Sequence, residues 1–91
     1  MRVLVLKTLG GEEVISEVSG ETELTLVIDR PRTFQITNNG GQYGAELFPF
    51  FLSDPDKKNI TVNKNSLVAY FDASLDLTNS YLKATTGILL G

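Results

Sequence analysis

Residues 3–6 read VLVL, with an apolar side chain at every position. Successive side chains of a strand point to opposite faces. The run therefore predicts a first strand covered twice, by its own barrel and by something else. Gly10-Gly11 is a tight-turn signal. EVISEV, at 13–18, predicts a second strand, with Val14 and Val18 on one face and Glu13 and Glu17 on the other around Ile15. Ser19-Gly20-Glu21-Thr22 gives the next turn. Leu24, Leu26 and Ile28 then alternate with Thr25, Val27 and Asp29, a period of two. Arg30-Pro31-Arg32 bends this run, since proline cannot donate to a sheet ladder. Phe34 and Ile36 resume the alternation opposite Thr33, Gln35 and Thr37, so 23–37 reads as one long bent strand. Asn38-Asn39-Gly40-Gly41 is the strongest hairpin signal in the chain. A strand over 43–52 carries LFPFFL around Pro49, and a polar loop follows at 53–59. Ile60-Thr61-Val62 is extended, Asn63-Lys64-Asn65-Ser66 turns, and 67–71 forms the last strand.

The tail changes period. Leu77, Tyr81 and Ala84 fall at spacings of four and three, one stripe of a helix. N-cap candidates stand at 72–76, Lys83 lies near the expected C-terminus and Gly87 suits the position just past it. The chain is thus expected to be one domain, 1–91: an all-β barrel over about 1–72 and a C-terminal helix over about 75–86. The apolar Ile88-Leu89-Leu90 is expected to dock. Five strands in some 70 residues, two of them long and bent at prolines, predict a small, strongly bent antiparallel open barrel of the SH3 type. An open barrel leaves edge strands that must be paired or protected, and LFPFFL carries no charge to blunt an edge. Pairing edge to edge with further copies is the economical solution. Head-to-tail pairing that closes gives a ring, in which neighbours would bury one face of 3–6 and part of LFPFFL.

Composition narrows the chemistry. The 91 residues include no Cys and no His, which removes disulfides, thiolate metal sites and the commonest general base. Glu12 and Glu13 are strand neighbours that face apart. Asp54-Pro55-Asp56 starts like a calcium loop but lacks its sixth-position Gly and twelfth-position Glu. There is no phosphate-binding glycine loop and no dinucleotide fingerprint, and the serines have no His partner. Catalysis, metals and cofactors are therefore not expected. No apolar run is long enough to span a membrane and no leader pattern is visible, so a cytoplasmic protein is expected.

The net charge of −3 excludes a wholly basic nucleic-acid glove. The basic residues are nevertheless grouped at bends and loops: Arg30 with Arg32, Lys57 with Lys58, and Lys64. Each group reads either as solubilising surface charge or as a phosphate contact that a ring would multiply. Asn63, Lys64 and Asn65 offer amides and a cation at one turn, suited to unstacked base edges and a phosphate. The same asparagines equally suit turn chemistry, since Asn tolerates left-handed backbone. Most aromatics read as core or subunit interface, with Tyr43 the exposed candidate for stacking.

The order of these elements resembles the Sm-like (LSm/Hfq) family. MRVLVLKTL, a Gly-containing turn and EEVISEVSG look like the opening of the first Sm motif. ELTLVID matches the family's long third strand, and ITVNKNSLVAYF looks like the second motif. The resemblance covers roughly 1–72, and GGEEVISEV in a compact acidic chain is similar to small Sm-like proteins of marine phages that infect cyanobacteria. It implies a homo-oligomeric ring of about five to seven subunits that binds single-stranded RNA or DNA, in RNA processing or phage RNA regulation within the host cytoplasm. By position, the RNA-contacting turn carries over to Asn63, Lys64 and Asn65, with Arg30 and Arg32 as second-rank contacts. The departures are specific. The chain starts in a strand where the family has a helix, Ser19-Gly20-Glu21-Thr22 replaces the Asp-x-x-aromatic-Asn loop, and Asn-Lys replaces the second motif's Arg-Gly. They favour an alternative role, a structural or protein-interaction module such as a virion component or an adaptor.

Overall fold

A computed structural model describes residues 1–87. The expected docking of Ile88-Leu89-Leu90 lies outside the described residues. The chain forms a small, strongly bent antiparallel open barrel with a C-terminal helix. Its strands are β1 (Val3–Thr8), β2 (Glu13–Glu21), β3 (Thr25–Asn39), β4 (Gln42–Pro49), β5 (Ile60–Asn63) and β6 (Leu67–Asp72). A single 3-10 turn, Lys64–Ser66, separates β5 from β6, and α1 spans Leu75–Thr86. Six strands thus stand where five were expected, because Ile60–Asn63 forms its own ladder with β3.

The sheet runs β4-β3-β2-β1-β6, with β5 on the same side of β3 as β4. Its curvature comes from extra residues at three places. Between Ile15↔Arg32 and Glu17↔Asp29, β3 advances three residues against two on β2. That bulge holds Arg30 in the left-handed region at φ 51° and accommodates the buried Pro31, which has no N–H to lose. A second bulge falls at Ser19 on β2 and a third at Val68 on β6. The bend expected from Arg30-Pro31-Arg32 is therefore a bulge. It redirects β3 so that its first half closes the barrel with β5, while its second half leaves as a ribbon with β4.

Both faces of β1 are covered within the chain. Leu4 and Leu6 join Val14, Val18, Leu26 and Ile28 inside the barrel. Val3 joins Ile15 and Tyr81 on the outside, where Leu77 and Leu82 of α1 and Phe34 and Leu47 of the ribbon complete a second core. The expectation that a neighbouring copy would bury one face of 3–6 is corrected here, since α1 already lies there. Full burial of such side chains stabilises by about 1.5–3 kcal/mol each, so α1 is integral to the fold.

Helix α1 has a Ser74 N-cap whose Oγ accepts from the Leu77 N–H at 3.2 Å, and it ends on Gly87 at φ 71°. Its inward stripe is the buried Tyr81 with the half-buried Leu77 and Leu82, while Ala84 is exposed. The Tyr81 hydroxyl reaches the Asp29 and Arg30 carbonyls at 2.7 and 3.0 Å, which ties the helix to the β3 bulge. Burial pushes this phenol up from its ordinary pKa.

Strand β4 stops at Pro49, earlier than the expected 43–52. Phe50 turns inward against the barrel core and donates its N–H to the Pro31 carbonyl at 3.1 Å. Phe51 and Leu52 stay outside, at 38% and 85% exposure. LFPFFL is thus divided between the interior and the surface. The ribbon stretches the molecule to 44 × 28 × 27 Å.

Candidate nucleic-acid interface

One end of the barrel brings two turns together. The first joins β2 to β3 across 22–25. The Thr22 Oγ1 accepts from the Leu24 and Thr25 backbone N–H groups, at 3.3 and 3.0 Å, and closes the turn locally. The second is the 3-10 turn Lys64–Ser66, closed by the Ser66 hydroxyl donating to the Asn63 carbonyl at 2.7 Å. The β3–β5 ladder sets Thr25 opposite Asn63, and the Lys64 N–H donates to the Leu24 carbonyl at 2.8 Å. The junction is thus fixed by backbone bonds together with the Thr22 and Ser66 hydroxyls.

Lys64 stands at the centre of this junction. Its Nζ donates to Glu21 Oε2 at 2.6 Å and to the Thr22 carbonyl at 2.7 Å, and it lies 5.7 Å from the centroid of the Tyr70 ring. The bond to Glu21 raises the Lys64 pKa. Arg2 Nη1 takes the other Glu21 oxygen at 2.5 Å, and Arg2 Nε lies 3.5 Å from Asp72. Held first by Lys64 and then by Arg2, the Glu21 carboxyl falls from 4.5 to about 2.

Asn63 and Asn65 flank Lys64 and are exposed. Asn63 is extended, at φ −74° and ψ 129°, and its side chain makes no cap bond. The left-handed non-glycine residues among those described are Arg30 and Asn59. A left-handed backbone therefore does not account for Asn63 or Asn65. It is Asn59 that takes the left-handed position, with its N–H on Asp29 Oδ1 at 2.7 Å.

Arg30 and Arg32 lie away from this junction, at the β3 bulge. Arg30 Nη2 pairs with Glu17 at 2.9 Å. Arg32 is 6% exposed, with Nη1 on the Pro55 carbonyl at 2.5 Å and Nη2 on Asp56 at 2.8 Å. Asp56 thus belongs to a clamp that fastens the 53–59 loop to β3. Tyr43, 76% exposed, sits next to the ribbon tip opposite Asn38, at the far end of β3 from Lys64. The structure joins Asn63, Lys64 and Asn65, and separates them from Arg30, Arg32 and Tyr43.

Arg2, Glu21 and Tyr70 complete the junction without having stood out in the sequence. Arg2 and Tyr70 reach it through the β1–β2 and β1–β6 pairings. The Gly10-Gly11 turn signals the first pairing, but the β1–β6 pairing joins the two ends of the barrel and has no short-range signal. Among the described residues, no group of three or more Asp or Glu side chains is placed to hold a metal ion, and no helix is long and apolar enough to cross a membrane. No protein-family model matches the chain, and no curated protein matches it.

Proposed function

We propose that the chain is the subunit of an Sm-like homo-oligomeric ring that binds single-stranded nucleic acid, with no catalytic step. The observation that carries this reading is the turn at 63–65. Two exposed Asn amides, used neither as caps nor for left-handed backbone, flank a lysine held in place by three partners. Asn amides there match base edges, and the lysine matches a phosphate. Ring formation is supported by two of the three strands that, among the described residues, pair on one side only, β5 being the third. β4 and β6 each pair on one side only. Val68 and Phe71 on β6 are 65% and 57% exposed, and Tyr43 on β4 is 76% exposed. Pairing β4 of one copy with β6 of the next is heterologous and closes into a ring if the rotation per subunit allows. The order of elements and the position of this turn agree with the Sm-like resemblance. In this reading Arg30 and Arg32 serve the scaffold.

Fluorescence anisotropy with U-rich and A-rich oligonucleotides, as RNA and as DNA, at several salt concentrations tests the proposal. Binding should weaken as salt rises. Lys64→Ala should weaken it at least about tenfold and lower the salt slope by about 0.7 per subunit touching the strand. Affinity unchanged by Lys64→Ala would remove the lysine from this role.

A second reading is favoured by the charge pairing: Lys64, Arg30 and Arg32 each meet a carboxylate of their own chain. In that reading the barrel is a structural or protein-interaction module, such as a virion component or an adaptor. Purified protein free of absorbance at 260 nm beyond its own, with no oligonucleotide affinity at low salt, would select it.

A further inference from the structure

Glu21 is the residue at the junction whose chemistry opposes the proposed ligand. Its two carboxylate oxygens are taken by two different cations from separate parts of the chain: Oε1 by Arg2, just before β1, and Oε2 by Lys64, in the turn between β5 and β6. Surface ion pairs contribute little to stability, and the backbone bonds already fix this junction. The convergence of two cations on one anion is also the arrangement that receives a phosphate, whose non-bridging oxygens bridge guanidinium and ammonium groups as carboxylate oxygens do. We infer that Arg2 and Lys64 form an anion seat that Glu21 fills in the free subunit, and that a nucleic-acid phosphate binds by displacing the Glu21 carboxylate.

Three observations support the exchange. Arg2 and Glu21 side chains are 45% and 31% exposed, so an incoming anion reaches them from solvent. Lys64 is 18% exposed and keeps two partners that do not depend on Glu21, the Thr22 carbonyl and the Tyr70 ring, so the ammonium stays in position when the carboxylate leaves. Asn63 and Asn65 are the exposed chain neighbours of Lys64 in the same turn, from which their amides would meet the base attached to the bound phosphate. Asp72, 77% exposed beside Arg2, is a second acid that the ligand must approach. Glu21 therefore sets a threshold: it admits a strand that supplies several phosphates to several seats and turns away a single weak anion.

This inference rests on the nucleic-acid reading, and two probes separate their failures. Oligonucleotide binding is measured by anisotropy and inorganic pyrophosphate binding by amide chemical shifts at 63–65. Both are run on the parent chain, Glu21→Gln, and Glu21→Gln combined with Arg2→Ala. Glu21→Gln should tighten both probes about tenfold, and adding Arg2→Ala should abolish the gain. Pyrophosphate that binds Glu21→Gln in an Arg2-dependent way, without oligonucleotide affinity, upholds the seat and overturns the nucleic-acid reading. Lys64-dependent oligonucleotide binding that Glu21→Gln leaves unchanged overturns the seat alone. Failure of both probes on every variant overturns both. Glu21→Ala should reproduce the order given by Glu21→Gln.

Discussion

Charge at this barrel is allocated residue by residue, and the allocation has measurable consequences. Arg32 is buried, with a guanidinium that holds Pro55 and Asp56, so Arg32→Ala should cost about 2–3 kcal/mol in urea unfolding. Oligonucleotide affinity of the folded protein should not change. Glu21 makes a pH-dependent contribution. Its folded pKa of about 2 lies below the ordinary 4.5, so between those values the unfolded chain takes up a proton that the folded chain does not. The stabilisation is complete above the ordinary value and is lost as pH falls toward about 2. The drop in urea midpoint from about pH 5 to about pH 3 should accordingly be smaller in Glu21→Gln than in the parent chain. Asn63, Lys64 and Asn65 stood out in the sequence as candidates because they are contiguous in one turn. The sequence did not disclose that Glu21 meets both Lys64 and Arg2, because those contacts cross 43 and 19 positions of chain and depend on a bulge at Ser19. Arg30 and Arg32 stood out as a basic pair, but a bulge and a loop clamp occupy both guanidinium groups.

At the scale of elements, alternation marked the strands and the change of period marked α1. The local signals at Gly10-Gly11, Asn38-Asn39-Gly40-Gly41, Ser74 and Gly87 all fall at the ends of observed elements. Burial was harder to read. VLVL announced a strand covered on both faces, yet nothing local indicated whether the second cover would be a neighbour or the chain's own helix. The answer lies in Tyr81, which is fully buried and hydrogen-bonds the carbonyls of the β3 bulge. Tyr81→Phe removes the donor while the Asp29 carbonyl keeps the Ser16 hydroxyl, a loss of about 0.5–1.5 kcal/mol in urea unfolding. Tyr81→Ala also empties the second core and should cost about 3–5 kcal/mol. Equal, negligible losses for the two variants would show that α1 is a peripheral appendage. The end of β4 at Pro49 has a similar long-range origin: Phe50 is drawn to Pro31 and the barrel core, which no pattern within LFPFFL reveals.

The whole molecule is a 10.0 kDa barrel with a two-stranded ribbon projecting from it. Both faces of β1 are covered within the described residues, so the case for assembly rests on the outer strands. There, exposed apolar side chains coincide with backbone groups paired on one side only. Because Val68 and Phe71 are exposed on the single chain, Phe71→Lys combined with Val68→Glu should leave the barrel folded while preventing edge pairing. Circular dichroism checks the fold. The central claim is that these margins are covered by further copies, and sedimentation velocity at micromolar concentration addresses it most directly. The parent chain should sediment as one closed species of about five to seven subunit masses, with the double variant collapsing to a single subunit. A parent chain that sediments as a stable monomer across the same concentrations would contradict the account.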